Sequence, residues 1–329
     1  MPEPWYLVAD VGGTNARFAA FQGDRQVAFA TYETAECGDL LATANAFSEA
    51  HAVQPAIAVV AAAGPVRGNA VTLTNANHSF SGAELKAATG AAQAYVINDF
   101  AAAAWATMDP GPADVKVLAG EASLAPGTRV VIGPGTGLGV GALVFDGTSY
   151  QSVTGEGGHI GVGPRDHYEV RVFDALREIW PEVFFGATLI LEAEGLLSGT
   201  GLPMLYRAVQ KVERLSATAP TSADICARAR AGSDTIASKT IDIFKAHLAQ
   251  AAGDLGLVYG ANSGVVLMGG IAQKNPWLFD DAFVAMVGAG GRFSTARQGL
   301  NLYLLEHADA VLFGAHTFAK RTLNCPSRD

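Results

Sequence analysis

Two stretches of this chain repeat one design. Trp5-Tyr6-Leu7-Val8-Ala9 is an apolar run ending at Asp10, followed by Val11-Gly12-Gly13-Thr14-Asn15-Ala16-Arg17 and a second apolar run, Phe18-Ala19-Ala20-Phe21. Later, Arg129-Val130-Val131-Ile132 leads into Gly133-Pro134-Gly135-Thr136-Gly137-Leu138-Gly139 and then Val140-Gly141-Ala142-Leu143-Val144-Phe145. Each block reads as strand, glycine turn, strand, because glycine and asparagine tolerate positive φ in a tight turn. A repeated hairpin in a chain of 329 residues, too long for one core, predicts an internal duplication. One hairpin then belongs to each of two domains and faces a shared cleft.

The segments between the blocks alternate in type. Ala56-Ile57-Ala58-Val59-Val60 and Tyr95-Val96-Ile97 read as buried strands. Ser81-Gly82-Ala83-Glu84 has capping-box spacing and predicts a helix ending near Gly90, and an alanine-rich helix is expected over 100–108. Strand alternating with helix implies an α/β sheet. Asp109-Pro110-Gly111-Pro112 interrupts the pattern and sets the expected boundary. Helices are expected over 168–180, 203–215, 222–229 and 235–253, and a strand at Val265-Val266-Leu267-Met268. A last helix near 308–321 returns to the first domain. The expected domains are 1–111 plus roughly 308–329, and 112–307.

Composition excludes several classes. Only 16% of residues are charged and the net charge is −9 with no basic run, which disfavours nucleic acid and anionic membrane as partners. The three cysteines, Cys37, Cys226 and Cys325, lie far apart with no CxxC, so neither a disulfide frame nor a cysteine zinc site is indicated. The N-terminus lacks the basic start of a secretory signal. The longest uncharged apolar tract, 130–145, contains Pro134 and repeated glycine, unlike a membrane helix. A reducing cytoplasm is the expected compartment.

Several motifs carry candidate chemistry, each with a plainer alternative. Asp10-Val11-Gly12-Gly13-Thr14 offers backbone N–H groups and a hydroxyl to a phosphate, and Asp10 can hold a hydrated Mg²⁺; the alternative is an ordinary hairpin. Gly135-Thr136-Gly137 invites the same two readings. Gly269-Gly270 after an apolar strand offers a flat surface to an adenine or ribose, though the dipeptide alone is nearly uninformative. No GK[ST] or GxGxxG follows, so neither a Walker loop nor a dinucleotide site is supported. Asn98-Asp99 ends a strand, where a carboxylate can accept a hydroxyl proton or simply cap the next helix. Gly155-Glu156-Gly157-Gly158-His159 presents Glu and His on a backbone with little bulk, suited to a hydroxyl-rich ligand. Glu194 by itself reads as an ordinary surface acid.

Taken in order, DVGGTNAR, INDF, GTGLG, GEGGH, Glu194 before Leu-Ser-Gly, and Gly269-Gly270 resemble the bacterial glucokinases. More closely, they resemble the branch of the hexokinase/Hsp70/actin superfamily that lacks a zinc motif, since Ile160-Gly161-Val162-Gly163-Pro164 follows His159 without cysteine. The resemblance runs from Val8 to about Gly314-Ala315. It implies an α/β, two-domain actin-like ATPase (ribonuclease H-like) fold with an interdomain cleft. It further implies transfer of the γ-phosphoryl of MgATP to the 6-hydroxyl of glucose. By the resemblance Asp99 is the catalytic base, and Asn75, Asn98, Glu156, His159 and Glu194 bind the sugar. Ala9, Asp10, Val11, Gly12, Gly13 and Thr14, with Gly135, Thr136 and Gly137, cradle the phosphates, and Gly269 and Gly270 face adenosine. ATP and Mg²⁺ are the implied cofactors, Asp10 holding the metal through water, and the family allows a homodimer. The rival readings are a kinase for another hexose or amino sugar, and a sugar-responsive regulator without catalysis. Asp99 and the missing room for a helix-turn-helix argue against the regulator.

Overall fold

In the computed structural model, residues 3–72, 79–111, 114–216, 218–307 and 309–324 are described. The chain forms two units: Met1–Pro112 with Gln151–Gly155 and His307–Asp329, and Ala113–Tyr150 with Glu156–Glu306.

In the first unit, strands Trp5–Val11 and Asn15–Gln22 form the expected hairpin, and Arg25–Glu33 extends it antiparallel at the edge. On the other side of Trp5–Val11, strands Ile57–Ala62 and Gln93–Asn98 add in parallel. Side chains alternate across the sheet, so each face needs its own cover. Leu7, Ala9 and Val11 pack with Leu40, Phe47 and Leu85, from helices Leu40–Ala50 and Gly82–Thr89. Tyr6, Val8, Ile57 and Val59 pack with Ala102, Leu312 and Ala315, from helices Asp99–Ala106 and Ala310–Asn324. Ser81 and Glu84 form the expected capping box, and Gly90 closes that helix in the left-handed conformation.

The same plan recurs in the second unit. Arg129–Pro134 and Leu138–Phe145 form a hairpin, while Gly264–Leu267 and Leu302–Leu305 add in parallel beyond Arg129–Pro134. Val115–Ala119 closes that edge antiparallel. The core is finished by helices His167–Ile179, Gly201–Val212, Ser222–Ala231, Thr235–Val258 and Asp281–Gly288. Leu302–Leu305 is fully buried but only four residues long, too short for a periodicity reading to separate from a loop. Among the described residues no helix is long and apolar enough to cross a membrane.

One expectation about the hairpins is overturned. Gly12, Gly135 and Gly137 do not adopt positive φ. Glycine at 137 instead gives clearance: a Cβ there would lie 2.4 Å from Glu194 Oε2, so the carboxylate would have to shift.

His316 ties the last helix to the first hairpin. Its ring stacks on Phe21 at 4.0 Å, and its Nε2–H donates to the Gly23 carbonyl at 2.9 Å. Burial pushes its pKa down to about 4. Its folded pKa is therefore below the unfolded one, so the neutral ring's contribution is complete above the unfolded pKa. It is lost as pH falls from about 6.5 toward 4. Unfolding free energy measured across that window is expected to fall with acid by up to about 1.4 kcal/mol per pH unit from this group. In His316→Gln the slope flattens; an identical slope in the variant assigns the acid sensitivity elsewhere.

Candidate active site

In the first unit the strand register brings two motifs to one edge. Val11 pairs with Ala62, and Ala62 with Asn98, so three adjacent parallel strands end level. The turn after Val11 and the Asn98-Asp99 pair thus emerge together at the carboxyl edge, where open α/β sheets bind ligands. Gly13 and Thr14 are exposed at the tip of the turn. The turn is braced from below: the Gly12 N–H donates to Asn15 O at 2.9 Å, and buried Thr34 donates its hydroxyl to Gly12 O at 2.8 Å.

Asp10 faces Arg17 across the hairpin, with Arg17 Nη1 3.1 Å from Asp10 Oδ2. Burial raises the Asp10 pKa, the guanidinium pulls it back, and the Asp309 charge adds to the rise. The carboxyl group is thus engaged by a single cation, Arg17, through one of its oxygens. Such a group, beside exposed turn backbone, fits Mg²⁺, which keeps most of its waters and needs few protein ligands. Among the described residues no group of three or more His, Cys, Asp or Glu side chains is placed to hold a metal.

The cap question resolves in favour of Asn98. Its Oδ1 accepts from the N–H groups of Phe100 at 2.9 Å and Ala101 at 3.3 Å, while its Nδ2 donates to Gly64 O at 3.1 Å. Asp99 is left as the first residue of the helix, half-buried, with Oδ1 accepting from Phe100 N–H at 2.9 Å. The positive end of the helix dipole favours a carboxylate there.

The second unit gathers the remaining described motifs. Ile132 pairs with Leu267, so the second glycine turn and Gly269-Gly270 leave the sheet side by side. Gly269 has φ +89°, and a Cβ on it would lie 2.7 Å from Pro134 O, so only glycine passes here. Next to Gly270 a Cβ would meet nothing within 4 Å, which leaves space for a ligand. The turn is clamped from a second segment. Gly199 N–H donates to Gly135 O at 2.8 Å, the Thr200 hydroxyl to Thr136 O at 3.1 Å, and Leu138 N–H to Glu194 Oε2 at 2.8 Å. Glu194 is thus no ordinary surface acid; it holds the glycine turn in place.

Glu156 precedes a short 3₁₀ turn, Gly157–His159, which His159 ends. Its glycines serve packing. A Cβ on Gly157 would lie 2.6 Å from Val140 Cβ, and one on Gly158 would lie 2.1 Å from Leu138 O. The turn lies flat on strand Leu138–Phe145, which brings His159 near Glu194. His159 Nδ1 lies 2.9 Å from Glu192 Oε2, and that carboxylate, followed by those of Glu194 and Glu156, raises the imidazole pKa. Asn75 lies outside the described residues.

Sequence reasoning gave no role to Thr34, Arg17, Thr200 or Glu192. Arg17 was countable: the hairpin centres between Gly13 and Thr14, which puts residue 17 opposite 10. The other three act across long sequence gaps, and no local pattern marks such contacts.

A twofold repeat of hairpin plus parallel strands is the plan of the actin-like ATPase class. The Glucokinase family model matches residues 7–322, and the chain belongs to that family of ATP-dependent hexose kinases. It is 36% identical to a glucokinase of Chelativorans sp. (strain BNC1) over 95% of this chain and 91% of that protein. It resembles the crystal structure of a glucokinase from an Antarctic psychrotroph, with TM-score 0.83, 32% identity and coverage of 97% and 99% of the two chains. A glucokinase from Streptomyces griseus, solved with glucose and AMPPNP, shares the fold at TM-score 0.63 and 20% identity over 96% of this chain and 99% of that one.

Proposed function

We propose that this member of the family transfers the γ-phosphoryl group of ATP to the 6-hydroxyl of glucose, with Asp99 as the general base. The observation that carries the reading is the level ending of three parallel strands, which brings Asp99 to the same sheet edge as the Asp10–Thr14 turn, with strand Ile57–Ala62 between them. The Asp99 carboxylate takes the hydroxyl proton as the sugar oxygen bonds to the γ-phosphorus. The bond from that phosphorus to the β–γ bridging oxygen breaks, and ADP leaves. Such a transfer needs in-line positioning and charge neutralisation more than covalent help.

The turns Gly12-Gly13-Thr14 and Gly135-Thr136-Gly137 are assigned to the phosphates; the N–H groups of Gly12 and Gly135 are engaged within their turns by Asn15 O and Gly137 O, which leaves the rest of each turn to the ligand. Gly269 and Gly270 are assigned to the adenosine side. Asp10 would hold Mg²⁺ through water, and the ion supplies neutralisation of the β- and γ-phosphate charge. Asn98, Glu156, His159 and Glu194 are assigned to sugar hydroxyls, with Asn75 on the same side by family likeness. A site built to pair hydroxyls discriminates strongly against analogues that lack them. A cytoplasmic setting, where glucose and ATP are both present, fits this reading.

ADP release measured across a panel of hexoses and amino sugars tests the substrate. The expected result is the highest kcat/KM for glucose; a higher value for N-acetylated or other hexoses moves the assignment to that sugar. Gly135→Val tests the phosphate role. A Cβ there meets nothing closer than Gly137 O at 4.0 Å, so the variant is expected to fold normally. Its bulk would sit where the phosphate is assigned, raising KM for ATP about tenfold or more, the equivalent of losing one charge-assisted hydrogen bond. An unchanged KM for ATP removes this turn from the nucleotide site.

A further inference from the structure

One carboxylate on the sugar side of the second unit has no role in the assignments above. Glu192 lies on the short strand Leu191–Glu192, which pairs antiparallel with Gly161–Val162 so that Glu192 faces Gly161. The Ala193 N–H donates to Ile160 O at 2.8 Å and extends that register. His159 precedes this ribbon by two residues, and its Nδ1 meets Glu192 Oε2 at 2.9 Å. The other side of the ribbon is pinned as well, because Gly158 lies flush against Leu138 O. His159 and Glu192 are therefore held at a set distance by backbone on both sides.

Stability does not account for the pair. The two side chains are 46% and 34% exposed, and an exposed ion pair is worth about 0–1 kcal/mol. Orientation accounts for it better. An imidazole whose Nδ1–H is engaged by a carboxylate has a fixed ring plane, and the same carboxylate favours the imidazolium, in which Nε2 also carries a proton.

We propose that Glu192 is a positioning residue: it accepts a hydrogen bond from His159 Nδ1–H, fixes the ring, and favours the imidazolium, whose Nε2–H donates toward a sugar hydroxyl. This rests on His159 being a sugar ligand. The charged groups that act on the ring are Glu192 on its strand, Glu194 on the following turn and Glu156 at the start of the His159 turn. All three are carboxylates and favour the imidazolium, with Glu192 the largest influence. The charged donor is present at low pH and is lost as pH rises through the raised His159 pKa. Removing the Glu192 charge moves that loss to lower pH.

Glu192→Gln is the test, because it keeps the side-chain length and an acceptor oxygen while removing the charge. Two measurements on the full chain are read together: the His159 imidazole titration by NMR without sugar, and the pH dependence of KM for glucose alongside kcat. His159 is expected to titrate at lower pH in the variant. On the alkaline limb of the profile, between the two titrations, its KM for glucose is expected to rise by about 3- to 10-fold, the range of one hydrogen bond's net worth. Toward acid, as both imidazoles become charged, the difference should close, with kcat within about twofold throughout. Glu192→Asp, which keeps the charge, is expected to restore part of the wild-type profile. If the His159 titration does not move, or KM is unchanged at every pH while His159→Ala still raises it, Glu192 positions nothing. If His159→Ala itself leaves KM for glucose unchanged, the assignment of His159 to the sugar is what fails.

Discussion

Asp99→Asn is expected to lower kcat by about 10²–10⁴-fold, the usual worth of a general base. Affinity for glucose should stay close to that of the wild type. The replacement is nearly isosteric. Asparagine keeps an oxygen for the Phe100 N–H that Asp99 Oδ1 now accepts at 2.9 Å, so the first helical turn is preserved. It also leaves the cap intact, since Asn98 performs that task. What is lost is the ability to take the proton of the attacking hydroxyl. Steady-state kcat, calorimetric glucose binding and thermal unfolding together separate the cases. Turnover near the wild-type rate overturns the base assignment. A large loss of glucose affinity with kcat retained makes Asp99 a binding group.

Gly314→Ala is expected to be the most destabilising single methyl in the first unit. A Cβ at 314 would lie 1.7 Å from Ala102 O and 2.8 Å from Ala106 N. Both atoms are backbone, so no rotamer change relieves the clash, and the helix Ala310–Asn324 must lift from Asp99–Ala106. Overpacking of this kind costs about 1–3 kcal/mol, and this geometry belongs at the upper end. At about 2–4 °C per kcal/mol, Tm should fall by roughly 5–10 °C. Activity should fall with it, because the displaced contact supports the helix that begins at Asp99. Gly155→Ala is the control: a Cβ there meets nothing within 4 Å, and Tm should be unchanged. Equal Tm values for the two variants would show that the helix contact yields more easily than a packed backbone should.

Much of the architecture was legible because its signals are local. Ser81, Glu84 and Gly90 spell both ends of one helix within ten residues, and the structure has that helix. The alternation of Tyr6 and Val8 with Leu7 and Ala9 marks a strand covered on both faces. The site was legible mainly through family likeness. Single motifs such as Asn98-Asp99 or Glu194 were as well explained by caps and surface acids. In the fold Asn98 is indeed the cap, and Glu194 serves as the support of a glycine turn 56 residues earlier in the chain.

The glycines mark the limit most clearly. Their clustering shows along the chain that backbone must turn or approach closely, and hairpins follow from that. Which of the two reasons applies at a given position depends on what comes to lie against it. Gly137 makes room for Glu194, Gly158 for Leu138 and Gly314 for Ala102, while Gly269 combines positive φ with the approach of Pro134. Short-range propensity and hydrophobic period are written into consecutive residues, so strands, helices and turns can be read from them. The pairing of His159 with Glu192, of Asp10 with Arg17 and of Glu194 with Leu138 depends on register and on packing between distant segments. Those terms exist only once the chain has closed on itself.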